Sequence, residues 1–450
     1  MSFSFKADFN PLLKLAIPLI LTGAVQSSLG FFENVFLAKL GPHVLAASAL
    51  VSWLFFTMIS LVFGVFSSIH VLISHSHGAN DQKNITQVLR DAFLFAIMLT
   101  PITFFIFWNA HDIFLWFGQK PELTSLAKLY LHGLAWGLFP KFILIVMFEL
   151  LIGLGHTRII MIFTLLSTPL YILFSYVLIF GKFGFPMLEI AGAGWGMTVA
   201  DWIIATVVCI LMWFSQRYRQ YVRSIFSWAK PKYIWEIIHI GLPVGLMLCV
   251  ETGYFFLMTI SMGWIGVTTL AANQIAMQYL GMATSVVFST TVAISARIGY
   301  FLGKNEIKNA EKAAYAGVIF CVIYTVIIAQ FYWFSPGLLI AIDFNLSNPH
   351  HSEVIQLATS FLFICAFFQI LEAVRLSLFG ALRGLKDTRF TLMTSVICFW
   401  CIALPAGYLL SIPFNFGGQA FWWAMVASAL CSTILLIRRF KIVILKRGIS

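Results

Sequence analysis

Apolar stretches long enough to cross a bilayer as helices recur along the whole chain, and no other feature constrains its fold as strongly. A hydrocarbon core of about 30 Å takes roughly 20 apolar residues in a helix. Such stretches fall at 11–37, 44–75, 88–109, 125–154, 159–181, 191–214, 235–263, 269–300, 311–333, 354–383, 390–412 and 419–437. Turn chemistry separates them at Gly41-Pro42, Gly78 to Asp81, Gly153 to Gly155, Gly303 to Asn305, Gly384 to Asp387 and Gly417-Gly418. The reading is an all-α integral membrane protein with twelve transmembrane helices.

Composition bears on what else the chain could be. Of 450 residues only 10% are charged and 60% are hydrophobic. A soluble fold of that length has too little interior to hide so much apolar surface. A cytosolic enzyme, a disordered chain and a secreted disulfide scaffold are thereby set aside. The formal charge of +11 would suggest nucleic acid in a soluble protein, but here the cations sort by membrane side. Arg217, Arg219, Arg223, Lys230 and Lys232 lie between spans six and seven, and Arg438, Arg439, Lys441, Lys446 and Arg447 follow span twelve. Lys83, Arg90, Arg158, Lys304 and Arg389 fall on the same side. The positive-inside rule then places both termini in the cytoplasm, in a bacterial inner membrane or plasma membrane, with no nucleic-acid partner.

The seven cysteines all sit in apolar runs, and their odd number argues against a disulfide framework. Cys398 and Cys401 form a CxxC around Phe399 and Trp400 and are read as small packing residues. His70, His75 and His77 (HVLISHSH) close span two and are read as part of a solvated loop rather than a metal site. No Walker loop, zincin helix or nucleophile elbow is present, so no enzyme chemistry is expected.

The chain repeats itself. At an offset of 225 residues, Pro18 meets Pro243, Gly41 meets Gly266, Gly78 meets Gly303 and Asn80 meets Asn305. After a shift of six, Gly153 meets Gly384 and Thr157-Arg158 meets Thr388-Arg389. Six helices per repeat keep both halves in the same orientation, giving two pseudo-symmetric six-helix lobes. The lobes are taken as 1–214 and 234–450, the latter ending in a basic tail, with 215–233 as a cytoplasmic linker whose Arg, Tyr and Trp suit the headgroup region.

Five acids fall inside apolar spans: Glu33, Glu149, Asp201, Glu251 and Glu372. An acid near the midplane costs about 2.5–3.5 kcal/mol, so each needs a reason. Glu33, Glu251, Glu372 and Asp201 are the candidate cation-coupling groups, and Glu149, close to the Gly153 turn, reads as structural. Arg375 lies on the helical face of Glu372, three residues on. Lys141 occupies the repeat position of Glu372 at the offset of 231 and could pair with Glu33 or Asp201. Pro18 and Pro243 each leave a carbonyl without its helical donor and are candidate hinges.

These residues resemble the multidrug and toxic compound extrusion (MATE) family, its NorM-like branch. The matching pieces are FFENVFLAKLG (31–41), the GLP of 241–243 with Glu251 eight residues past Pro243, LAANQIA (270–276) and GALRGLKDT (380–388). YVLIFGKFGFP (176–186) and IAGAGWGMTVADW (190–202) resemble the family's fifth and sixth spans. The resemblance implies two six-helix lobes around a cavity and export of amphipathic, often cationic drugs in exchange for H⁺ or Na⁺. By position it makes Glu33 the first-span acid, Glu251 and Glu372 the second-lobe carboxylates, and Gln274 the polar residue of span eight. Where many members carry two Asn on span five, this chain has Tyr171 and Ser175; Met197 replaces the usual Thr, with Thr198 adjacent; Phe368 replaces an aromatic hydroxyl. Those losses affect Na⁺ coordination more than a proton, which needs only one acid.

The expectation is a monomeric exporter working by alternating access, without a cofactor beyond its coupling ion. A lipid-linked precursor flippase is the alternative within transport and calls for a strongly basic cavity. An intramembrane enzyme and a channel are the remaining rivals.

Overall fold

The computed structural model describes residues 5–223, 225, 230–343 and 352–449. In order the helices are α1 (Phe5–Ala38), α2 (Pro42–Gly78), α3 (Gln82–Trp108), α4 (Ala110–Trp116), α5 (Pro121–Ala135), α6 (Leu138–Gly153), α7 (Thr157–Phe180), α8 (Glu189–Phe214) and α9 (Arg219–Arg223). There follow α10 (Ile234–Ile265), α11 (Val267–Gly303), α12 (Ile307–Phe334), α13 (Pro336–Asp343), α14 (Ser352–Gly384), α15 (Thr388–Ser395), a π-helical stretch (Val396–Ala403), α16 (Leu404–Ser411) and α17 (Gln419–Ile449). Among the described residues eleven helices are long and apolar enough to span a membrane, and α5 with α6, bent by 51°, makes a twelfth. The twelve apolar stretches of the sequence thus map one to one onto twelve helical spans.

The turns carry the repeat into three dimensions. Asn80 (φ 55°) and Asn305 (φ 59°) both take the left-handed conformation, as do the repeat partners Gly155 (φ 78°) and Lys386 (φ 62°). One backbone solution therefore ends the second and fourth span of each half.

The break in span four has a local cause. Pro140 has no N–H for the Trp136 carbonyl one turn back. That carbonyl instead accepts from the Trp202 indole at 3.1 Å. Gly137, in the bend, lies so close to α8 that a Cβ there would stand 2.6 Å from Thr198 Oγ1. Pro18 and Pro243, by contrast, lie inside the continuous helices α1 and α10.

Pro405 likewise cannot serve the carbonyl of Cys401, and the helix widens into π geometry just before it. Two side chains use this stretch. Ser428 of α17 donates to the Cys398 carbonyl at 2.5 Å, and the Trp400 indole donates to the Val250 carbonyl of α10 at 2.8 Å. All seven cysteines are free thiols; Cys398 is buried and Cys401 exposed.

By packing, the chain forms two compact units, Leu21–Gly241 and Leu242–Ser450, the latter joined by the chain up to Ile20. This division differs from that of the repeat. It changes over inside α1 and inside α10, in each case within two residues of Pro18 or Pro243. Of the linker 215–233, α9 covers Arg219–Arg223, with Tyr221 and Val222 buried. Ser224 and residues 226–229 of that stretch lie outside the described residues.

Candidate functional site

The first lobe collects intramembrane charges on α1, α6 and α8, with tyrosine partners from α5 and α7. Asp201, on α8, is buried. Tyr171 of α7 donates to its Oδ1 at 2.5 Å, and Lys141 of α6 stands 3.3 Å from its Oδ2. The sequence left Lys141 to pair with Glu33 or Asp201; the geometry pairs it with Asp201. Its ammonium also lies 5.6 Å from the Tyr171 ring centre and 5.8 Å from that of Phe55, within cation–π reach.

Glu33, half-buried on α1, accepts a hydrogen bond from the Tyr130 hydroxyl of α5. Tyr130 is set by the glycine run of α8. Gly194 approaches so closely that a Cβ there would stand 2.4 Å from the Tyr130 carbonyl, and Gly196 packs the same way on Ser175 of α7. Phe32, Glu33, Phe36, Tyr171, Ser175 and Met197 line a small, open-mouthed cavity. Tyr171 thus joins the two acids, lining the cavity with Glu33 while holding Asp201. Thr198 is turned away, its hydroxyl donating to the Gly133 carbonyl at 2.7 Å.

The second lobe builds a cluster on α10, α14 and α15. Arg375 is 1% exposed. Its Nη1 donates to Glu251 Oε1 at 2.6 Å and its Nε to Glu372 Oε2 at 2.7 Å, while Nη2 donates to Glu372 Oε1. Ser395, at the end of α15, donates to Glu251 Oε1 at 2.9 Å. The guanidinium lies 4.7 Å from the Phe379 ring centre and 4.8 Å from that of Phe399, which the π-helical stretch presents. The spacing of Glu372 and Arg375 foretold their contact; their convergence on Glu251 needed the fold. Gln274 is exposed on α11, outside this cluster.

Three contributors escaped the sequence. Tyr130 and Ser395 are ordinary residues whose value lies in a partner elsewhere in the chain, and no local signal marks them. The third is His70, expected in solvent. It is fully buried, and its Nδ1 lies 2.5 Å from Oε2 of the buried Glu149. The correction has a simple cause: α2 runs to Gly78, so His70 sits two turns inside the helix rather than at its end. Among the described residues no group of three or more His, Cys, Asp or Glu converges as metal ligands would.

Carboxylates and counter-cations kept inside apolar spans, with one acid facing a cavity, are the construction of a multi-pass membrane transporter. The family model described as MatE matches residues 18–177 and 243–409, one segment in each half. A protein of Oceanobacillus iheyensis described as "Probable multidrug resistance protein NorM" is 30% identical over 432 residues, covering 94% of each chain. Its counterpart in Synechocystis sp. is 27% identical over 450 residues, covering 99% of this chain and 97% of the relative. Among solved structures, the outward-facing conformation of a multidrug resistance MATE family transporter superposes with a TM-score of 0.88 at 17% identity, covering 98% of this chain and 97% of that one. A MATE crystal structure in the bent conformation gives 0.87 at 18%, covering 97% and 96%. The chain belongs to the MatE family.

Proposed function

We propose that the chain exports small amphipathic, often cationic drugs in exchange for H⁺, or Na⁺, by alternating access. The observation that carries this reading is Tyr171, which lines the Glu33 cavity and at the same time binds the buried Asp201 beside Lys141. An ion added to or removed from either acid changes the charge balance that Lys141 and Tyr171 set. Such a change favours whichever conformation holds the new charge better. The aromatic and apolar cavity wall suits an amphipathic guest, and Glu33 suits its positive charge. Both relatives compared above are described as probable multidrug resistance proteins, which supports the same substrate class.

The repeat lobes, 1–214 and 234–450, joined by 215–233, are the moving parts in this reading. Pro18 and Pro243 are the hinges, beside the points where packing passes from one compact unit to the other. Both termini lie in the cytoplasm of a bacterial inner membrane or plasma membrane, the monomer is the working unit, and no enzyme step or cofactor takes part.

Uptake of a cationic dye into everted vesicles tests it, with the pH and Na⁺ gradients collapsed separately. Loss of uptake when the pH gradient is removed, and in Glu33→Gln, is the expected result. Uptake that survives collapse of both gradients overturns it.

A further inference from the structure

The second-lobe cluster contains four carboxylate oxygens, and three are occupied. Arg375 holds both oxygens of Glu372 and, with Ser395, Oε1 of Glu251. Of these four oxygens, Glu251 Oε2 alone accepts no hydrogen bond from a described residue. The aromatic faces of Phe379 and Phe399, which would attract a free cation, already flank the guanidinium. With both acids ionised, two carboxylates and one guanidinium leave a single negative charge.

A bare alkali-metal ion replaces its hydration shell with several oxygens at once, as hard cations do. Here it would find one carboxylate oxygen without a hydrogen bond, and it would meet the fixed positive charge of Arg375 a few ångströms away, in surroundings that screen it poorly. A proton needs one lone pair and adds no volume. Beside the cluster lie the thiols of Cys398 and Cys431 and the buried phenol of Tyr254, whose ring centre is 5.1 Å from that of Phe399.

We propose that Arg375 is a built-in counter-ion that closes the second-lobe carboxylate pair to Na⁺ and K⁺ and leaves it a one-proton site at Glu251 Oε2. Arg375 thereby determines ion specificity at this site, a conclusion that rests on the exporter reading for its meaning and on binding alone for its test. Removing the guanidinium frees both oxygens of Glu372, leaves Glu251 Oε1 with Ser395 alone and doubles the net negative charge, which converts the site into one that takes a metal cation.

The experiment uses the purified full-length chain in detergent, titrated with NaCl against choline chloride and followed by calorimetry and by melting temperature. Any Na⁺-specific signal of the wild type is expected to be unchanged by Glu251→Gln. Arg375→Gln is expected to bind Na⁺ at least about tenfold more tightly than the wild type, equivalent to about 1.4 kcal/mol, and to melt higher in NaCl than in choline chloride. Adding Glu251→Gln to it abolishes both gains, and Arg375→Lys, which keeps the charge, stays closed. Na⁺ binding by the wild type that Glu251→Gln removes overturns the proposal, as does an Arg375→Gln protein that gains none. Acid titration decides independently, should Arg375→Gln fail to fold: the wild type takes up one proton more than Glu251→Gln, and equal uptake overturns the proposal. Absence of dye export by the wild type would end the exporter reading and leave these binding results standing.

Discussion

The ammonium of Lys141 stands 3.3 Å from the carboxylate of Asp201, joining α6 to α8 inside the first lobe. Its repeat partner, Glu372, carries the opposite charge and is held by Arg375 on its own helix. The duplicated scaffold therefore keeps an ionic group at the same position in both halves while reversing its sign. Each half then satisfies that group from a different direction. Two non-equivalent ionic sites in one transporter follow from this asymmetry.

Lys141 and Asp201 should act as a unit. Lys141→Met leaves the Asp201 charge buried with only Tyr171, and Asp201→Asn leaves an ammonium among aromatic rings. The pair Lys141→Met with Asp201→Asn should be less damaging than the sum of the single changes, by about 1–3 kcal/mol. Melting temperatures of the four proteins in detergent measure that coupling.

Arg375→Met should be among the most destabilising substitutions in the chain, costing about 3–5 kcal/mol, because two buried carboxylates lose their common partner. Neutralising both acids in the same protein, as Glu251→Gln with Glu372→Gln, should restore most of the loss. Thermal unfolding of the single and triple variants checks this.

Asp91 ties the segment entering α10 to α3. Fully buried, its Oδ2 accepts from the backbone N–H of Lys232 at 2.6 Å and of Tyr233 at 2.7 Å. Arg90 pairs with its Oδ1 and donates to the Lys230 carbonyl at 3.0 Å. Asp91→Asn removes the charge from these bonds and should cost about 2–4 kcal/mol. Trypsin should then cut among Arg217, Arg219, Arg223 and Lys230 well before it cuts the wild type.

His156, in the turn between α6 and α7, has its pKa lowered from 6.5 to about 4, first by burial and then by the charges of Arg217 and His77. Its Nδ1 lies 2.9 Å from the Tyr218 hydroxyl. The folded chain thus holds a neutral imidazole where the unfolded chain holds a charged one below pH 6.5. The stability this contributes is complete above pH 6.5 and is lost as pH falls from there toward about 4. A melting-temperature profile should decline across that window, and His156→Gln should flatten the decline.

Much of the fold was legible because lipid leaves few options. Backbone groups in hydrocarbon must bond within their own segment, so an apolar run of sufficient length is a helix. Each of the twelve stretches met one. What misled was position along a helix: the ends of apolar runs underestimate helix length, so His70 looked solvated and is buried against Glu149. The break at Pro140 and the π-helical stretch before Pro405 were not anticipated, because a proline marks a missing donor without saying how neighbours will compensate. Gln274 is exposed on α11, outside the second-lobe cluster.

By itself the sequence determined the membrane environment, the span count, the duplication and which residues carry charge where charge is costly. These follow from hydrophobicity, periodicity and turn chemistry, all of them local along the chain. The tertiary structure alone decided the partnerships: Lys141 with Asp201, Tyr130 with Glu33, Arg375 with Glu251, and Ser395 beside them. The contacting groups in each of these lie tens to more than a hundred residues apart, and a buried charge is stabilised by whichever helix brings a complementary atom within bonding distance.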